Sequence, residues 1–173
     1  MTTLKEHSFS STIGRITLLS SPVGICFVHI GDTPGDSYHK FIAKYFPDAS
    51  VQSGGEVNAE AARQILSYLD GKLTKFTVPL DLRTTPFYTR VLTEVKRIPF
   101  GKTKTYGDIA AALGKPGSSR AVGGANASNP IPLFIPCHRV LASNGLGGYG
   151  PGLPIKIKLL QLEGIDLRQP CLL

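Results

Sequence analysis

The hydrophobic period of the chain changes midway, and that change limits the architectures open to it. Before residue 80 the apolar residues form strand-like runs, Gly14–Leu19 and Gly24–Ile30, joined by Ser20-Ser21-Pro22-Val23, a turn composition that predicts a hairpin. After it they recur at helical spacing, first at Phe87, Val91, Val95 and Ile98. One all-helical or all-strand core cannot satisfy both periods. The expected fold class is therefore a two-domain α/β chain: residues 1–79 as a small N-terminal antiparallel sheet with helices, and residues 80–173 as a mainly helical domain.

In the first half, Tyr38, Phe41, Ile42 and Tyr45 predict a helix capped by Ser37. Asn58 is expected to start a second helix, burying Ala61, Ala62, Ile65 and Leu69 before Gly71 stops it. Lys75–Leu82 reads as an extended segment crossing between the domains. Charge divides at the same place. Up to Pro79 seven basic residues balance seven acidic ones, so the net charge of +7 comes entirely from the second half. That excess suits a polyanion such as nucleic acid, and equally a merely well-solvated surface.

Pro86 begins the first helix of the second half, and Pro99-Phe100-Gly101 ends it. A short helix then runs from Thr105 or Tyr106 to Leu113, Gly114-Lys115-Pro116-Gly117 breaks it, and Ser118 caps another through Ala127. This is helix-turn-helix spacing. The later helix carries Gly123-Gly124, and each interior glycine costs about 1 kcal/mol relative to alanine. The pair serves either close approach to another molecule or tight helix packing. Arg120 and Asn126 are its only long polar side chains, so any contact with DNA is expected to be weakly sequence-specific.

The apolar run Ile131–Ile135 leads into Pro136-Cys137-His138-Arg139-Val140. A thiol attacks as the thiolate, which an adjacent imidazole can generate directly or through water. In a strand, however, neighbours point to opposite faces, and Cys137 reads equally as nucleophile or core residue. Cys26, Cys137 and Cys171 form an odd, sparse set, which argues for free thiols. Cys26 and His29 supply only two ligands of a zinc site, so strand burial is expected for Cys26 and no metal is predicted. Gly145–Gly152, with Tyr149 as its aromatic, is either a pocket wall or a flexible surface loop. A last helix from near Pro154 is expected to bury Leu159, Leu160 and Leu162 and to end at Glu163, where a carboxylate opposes the helix dipole and calls for a partner. No apolar run approaches the roughly 18 residues of a membrane span, and the first residues lack a signal peptide's apolar stretch. An intracellular protein is expected, nuclear if eukaryotic and cytoplasmic if prokaryotic.

Taken in order, Thr105–Ala110, Ser119–Ala125, Asn129-Pro130, Ile135–Val140, Gly148-Tyr149 and Leu159–Gly164 resemble the O6-alkylguanine-DNA alkyltransferase family. The resemblance is strong from Pro86 to Ile165 and faint before it. It implies a ribonuclease H-like first domain and a winged helix-turn-helix-like second one. It also implies that Cys137 is the alkyl acceptor, His138 the base acting through water, and Glu163 the carboxylate that orients the imidazole. Tyr106 resembles the phenol that bonds the guanine ring. Arg120 resembles the finger that fills the gap left by an extruded nucleotide, with Ala121, Gly123, Gly124 and Ala125 beside it against the DNA. Asn129 resembles a hinge, and Tyr149 and Gly150 a loop covering the base. The Cys137 and Val140 carbonyls are implied acceptors for its exocyclic amine. Asn126 falls at a pocket position that is often apolar in relatives.

The implied partner is double-stranded DNA carrying O6-alkylguanine, entered from the minor groove by a monomer without a cofactor. Such chemistry requires a deprotonated Cys137 sulfur at the floor of a purine-sized cavity. Two other function classes compete with this suicidal transferase: a lesion-binding module that never transfers, and a cysteine hydrolase using the same relay on a small substrate.

Overall fold

The computed structural model describes residues 1–168, so Cys171, expected to be a bystander thiol, lies outside the described residues. The chain divides into two compact units, Met1–Arg83 and Thr84–Leu173.

The first unit is built on a four-stranded sheet of order β3-β2-β1-β4, comprising β1 (Thr3–Ser11), β2 (Gly14–Ser20), β3 (Ile25–Ile30) and β4 (Ser50–Ser53). The β2–β3 hairpin is antiparallel as expected, and so is β1 against β2, whereas β4 joins β1 in parallel. Ile16 to Ser20 are buried consecutively, so both faces of β2 are covered. On one side Tyr38 and Phe41 of α1 (Asp36–Tyr45) pack with Leu19, Cys26 and Phe27. Helix α2 (Glu56–Leu69) also packs on the sheet. Both helices begin earlier than expected. Gly35 and Gly55 occupy the cap positions, so Ser37 and Asn58 fall within the first turns. Asn58 is nevertheless structural: its buried amide donates to the carbonyls of Lys5 and Gly54 at 2.8 and 2.9 Å.

The segment after Pro79 belongs to this unit. The Ile25 amide donates to the Pro79 carbonyl, and the Asp81 amide to that of Ile25. This crossing needs Gly24, where a β-carbon would stand 2.4 Å from the Pro79 oxygen. Buried Asp81 then accepts from Ser21 Oγ at 2.6 Å and from Arg83 Nε at 2.6 Å.

The second unit holds α3 (Pro86–Lys96), β5 (Lys104–Thr105), α4 (Tyr106–Ala112), α5 (Ser119–Ala127), β6 (Val140–Leu141) and α6 (Leu153–Leu162). Thr85 caps α3, with Pro86 in its first turn, and Val91, Leu92 and Val95 form its buried face. Helices α3, α4 and α5 pack together, and the α4–α5 pair is the expected helix-turn-helix. Ser118 stands at the cap position of α5, but its side chain makes no capping bond. The strand component is two short parallel segments, Lys104 paired with Val140 and Thr105 with Leu141. On α6, Leu159 and Leu160 are buried as expected; Leu162 is only half-buried, and Lys156 takes the remaining core position. Among the described residues no helix is long and apolar enough to cross a membrane, and no three His, Cys, Asp or Glu side chains gather as metal ligands.

Candidate active site

Tyr106 stands at the first position of α4 because a reciprocal cap fixes the helix start. Thr105 Oγ1 accepts from the Asp108 amide at 3.1 Å, and Asp108 Oδ2 accepts from the Thr105 amide at 2.8 Å. The glycine-rich segment closes over the ring at Gly147, where φ is +69° and a β-carbon would lie 2.7 Å from the Tyr106 hydroxyl oxygen. Only glycine tolerates both the left-handed backbone and that approach.

The run before Cys137 is a buried turn, with the Ile135 amide donating to the Ile131 carbonyl at 3.0 Å. Leu133 sits at its centre with φ +73°, an uncommon conformation for a branched side chain held here by complete burial. Asn129 clamps the turn: its Nδ2 donates to the Ile135 carbonyl at 2.9 Å and its Oδ1 accepts from the Ile131 amide at 3.1 Å. The chain then enters a single 3₁₀ turn, Cys137–Arg139, where the sequence suggested a strand. Three residues per turn send the three side chains in three directions, in place of two opposite faces.

His138 and Glu163 lie in the interior, with His138 Nε2 2.8 Å from Glu163 Oε1 and both side chains fully buried. Burial holds the imidazole below its ordinary pKa, so the ring is neutral. A carboxylate only accepts, so the Nε2–H donates to it and Nδ1 carries the basic lone pair. Glu163 also receives Arg139: Nε donates to Oε2 at 2.9 Å and Nη2 to Oε1 at 2.9 Å, while Nη1 donates to the Ile98 carbonyl at 2.6 Å. The Gly101 amide completes the shell, donating to Glu163 Oε2 at 3.0 Å. These donors explain how a carboxylate can end α6.

Two of these groups were not legible as site residues. Arg139 is the cation that makes the buried Glu163 possible. Lys156, fully buried on α6, donates through Nζ to the carbonyls of Val140 at 2.7 Å and Gly148 at 3.1 Å, tying the active-site strand to the glycine-rich loop. Desolvation brings its ammonium down to about 8. A signal for it existed: Lys156, Leu160 and Glu163 share one helical face, so a lysine there points inward.

Burial pushes the Cys137 thiol up to about 11, while the Asn129 side chain and the Lys156 charge pull the other way. Desolvation thus favours the protonated thiol, against the deprotonated sulfur expected from the sequence, and Asn129 and Lys156 work in the other direction. The sulfur-bearing residue nonetheless opens on a cavity of about 340 Å³ lined by Tyr106, Gly123, Asn126, Ala127, Cys137 and Gly148–Gly150. His138 stands behind the wall, its ring 6.4 Å from that of Tyr149.

The cavity therefore gathers Tyr106, Gly123, Asn126, Cys137, Tyr149 and Gly150 of the expected site residues. Arg120 and Ala121 are exposed on α5, outside it. Ala125, expected against DNA, is fully buried on the inner face of α5 with Val122 and is not available there. Val140 is also fully buried and does not line the cavity; its carbonyl already accepts from Lys156. A β-carbon at Gly123 or Gly124 would meet its nearest neighbour at 3.9 or 3.4 Å, ordinary contact distances. Packing within the unit thus does not require either glycine.

The cavity thus sets a cysteine beside the second helix of a helix-turn-helix. Comparison with known proteins assigns the chain to a family. Residues 4–82 match the family model for the 6-O-methylguanine DNA methyltransferase ribonuclease-like domain, and residues 86–165 the model for the DNA binding domain of the same methyltransferase. The chain belongs to the 6-O-methylguanine DNA methyltransferase family. It is 43% identical over 152 residues to the methylated-DNA–protein-cysteine methyltransferase of Methanosarcina acetivorans, covering 85% of this chain and 96% of that one. Its similarity to the Mycobacterium bovis protein of the same name is 44% identity over 128 residues, 73% of this chain and 74% of the relative. Among solved structures, Mycobacterium tuberculosis O6-methylguanine methyltransferase aligns with a TM-score of 0.79 at 36% identity over 92% of each chain. The M. tuberculosis OGT in complex with DNA aligns at 0.78 and 35% identity, over 93% of this chain and 92% of that one.

Proposed function

We propose that this protein repairs O6-alkylguanine in duplex DNA by moving the alkyl group onto Cys137, once per molecule. The observation that carries this reading is the cavity itself: a cysteine at its wall, flanked by two tyrosines and backed by a neutral His138 with its Nε2–H fixed on Glu163.

The alkylated oxygen of guanine lies inside the base stack, so the nucleotide must rotate out to reach a buried sulfur. Exposed Arg120 on α5 takes the vacated space, entering from the minor groove, while Ala121 and the small glycine face let the helix press against the backbone. The extruded purine enters between Tyr106 and Tyr149, and Gly150 closes over it. His138 Nδ1 removes the thiol proton through a water molecule, and the nearby Lys156 ammonium stabilises the thiolate as it forms. The S–C bond forms while the O6–C bond breaks. The released electron pair returns to the purine ring, which takes up a proton with help from the Tyr106 hydroxyl, and guanine is restored. Atoms and charge balance without a cofactor or metal. The product thioether is stable to water, so the protein is consumed.

Mixing the protein with excess duplex containing O6-methylguanine tests this directly. Restored guanine is expected to rise to one per protein and stop. Continued turnover, or no restoration, contradicts the proposal. Arg120→Ala is expected to reduce fluorescence from an extruded base analogue more than it reduces nonspecific binding; equal losses would remove Arg120 from the role.

A further inference from the structure

Asn126 is 95% buried by its 5% exposure, lines the cavity, and has its amide orientation fixed by chemistry. Its Nδ2 lies 3.2 Å from the Cys137 carbonyl oxygen, which only accepts, so the nitrogen must face it. Oδ1 is thereby left as a buried acceptor with no hydrogen-bond partner among the described residues. A buried amide oxygen left unpaired is costly, and its usual remedy is a donor supplied by water or ligand.

The proposed substrate offers one candidate. An O6-alkylated guanine in DNA has lost the N1 hydrogen and uses N9 for the sugar, so its exocyclic amine is its only N–H donor. The two carbonyls implied by the family resemblance as acceptors for that amine are both partly engaged already, Cys137 by Asn126 and Val140 by Lys156. We propose that Asn126 Oδ1 accepts the exocyclic amine of the extruded base and makes the cavity selective for purines that carry one. The inference rests on the function proposed above. It assigns Asn126 a substrate-reading role in addition to holding the Cys137 main chain. A site built to pair a substrate N–H rejects analogues lacking it more strongly than an apolar pocket rejects a size change. O4-alkylthymine, which has no exocyclic amine, is disfavoured on the same ground.

The test compares methyl transfer to Cys137 from two duplexes that differ only in the amine, one with O6-methylguanine and one with O6-methylhypoxanthine. The intact protein is expected to prefer the amine-bearing lesion by about tenfold, the size of one buried neutral hydrogen bond. Asn126→Leu, which keeps the branching at Cγ but removes the acceptor, is expected to bring the two rates close together. Disturbance of the Cys137 main chain alone slows both lesions alike and leaves their ratio unchanged. An unchanged ratio in a variant that still transfers overturns the role of Asn126 and leaves the repair function standing. If neither lesion gives up its methyl to the intact protein, the repair function itself fails, and this inference with it. Should the leucine variant not fold, Asn126→Ala, favoured in a helix, is read in the same way.

Discussion

Cys26 in the sheet unit and Cys137 in the helical unit are both almost inaccessible, at 0% and 4% exposure. Burial raises both thiols, Cys26 to about 12 and Cys137 to about 11. Their surroundings differ more than those values do. Cys26 packs with Leu19, Phe27 and Phe41, and the Asp81 charge pushes its thiol up further. Cys137 opens on a cavity, and Asn129 and a buried lysine favour its ionised form. A cysteine becomes useful through the charge beside it and the space in front of it, since low exposure is common to both.

Exchanging each thiol for a hydroxyl separates the two cysteines most clearly. Cys137→Ser is expected to abolish methyl acceptance, and Cys26→Ser to leave it at one per protein, as counted by transfer of labelled methyl. The next largest effect separates the ion pairs of the two units. Arg139→Met strands the buried Glu163 charge and is expected to cost about 3–5 kcal/mol in denaturant unfolding. Arg83→Met, whose guanidinium side chain is 42% exposed, is expected to cost about 1 kcal/mol or less by the same measurement.

Lys156→Met is expected to slow transfer about tenfold, the effect of one pKa unit on the thiolate fraction. In the intact protein the lysine's help fades as pH rises through about 8, where its ammonium deprotonates. On the acid side, His138 is depressed by burial, so its base form persists below the ordinary imidazole value of about 6.5. The acid limb of the rate profile is expected below that value. The same depression makes the unfolded chain bind the proton first, so stability contributed by this group is lost as pH falls through the folded pKa. The smallest effect is Asp108→Ala, which removes half of the reciprocal cap and is expected to cost about 1 kcal/mol in thermal or denaturant unfolding.

The helix-turn-helix was readable because Gly114–Gly117 punctuates it, whereas its exact start follows from the Thr105–Asp108 cap that the structure shows. Strand β1 was not readable. Thr3–Ser11 is mostly polar, with Leu4 as its only fully buried side chain, and it is a strand because β2 and β4 flank it. Exposed, four-residue β4 escaped for the same reason. At the site, Cys137 and His138 were visible as adjacent reactive types, but their 3₁₀ turn follows from the Asn129-clamped loop before it, a tertiary feature. Ala125 was misplaced because small residues on a short helix do not reveal which of its faces is buried.

Peptide mass mapping after incubation with an O6-methylguanine oligonucleotide duplex decides whether Cys137 is the acceptor. One added methyl is expected, on the peptide containing Cys137, in step with restoration of the guanine. Guanine restored while Cys137 stays unmodified, or a methyl carried by any other residue, would contradict it.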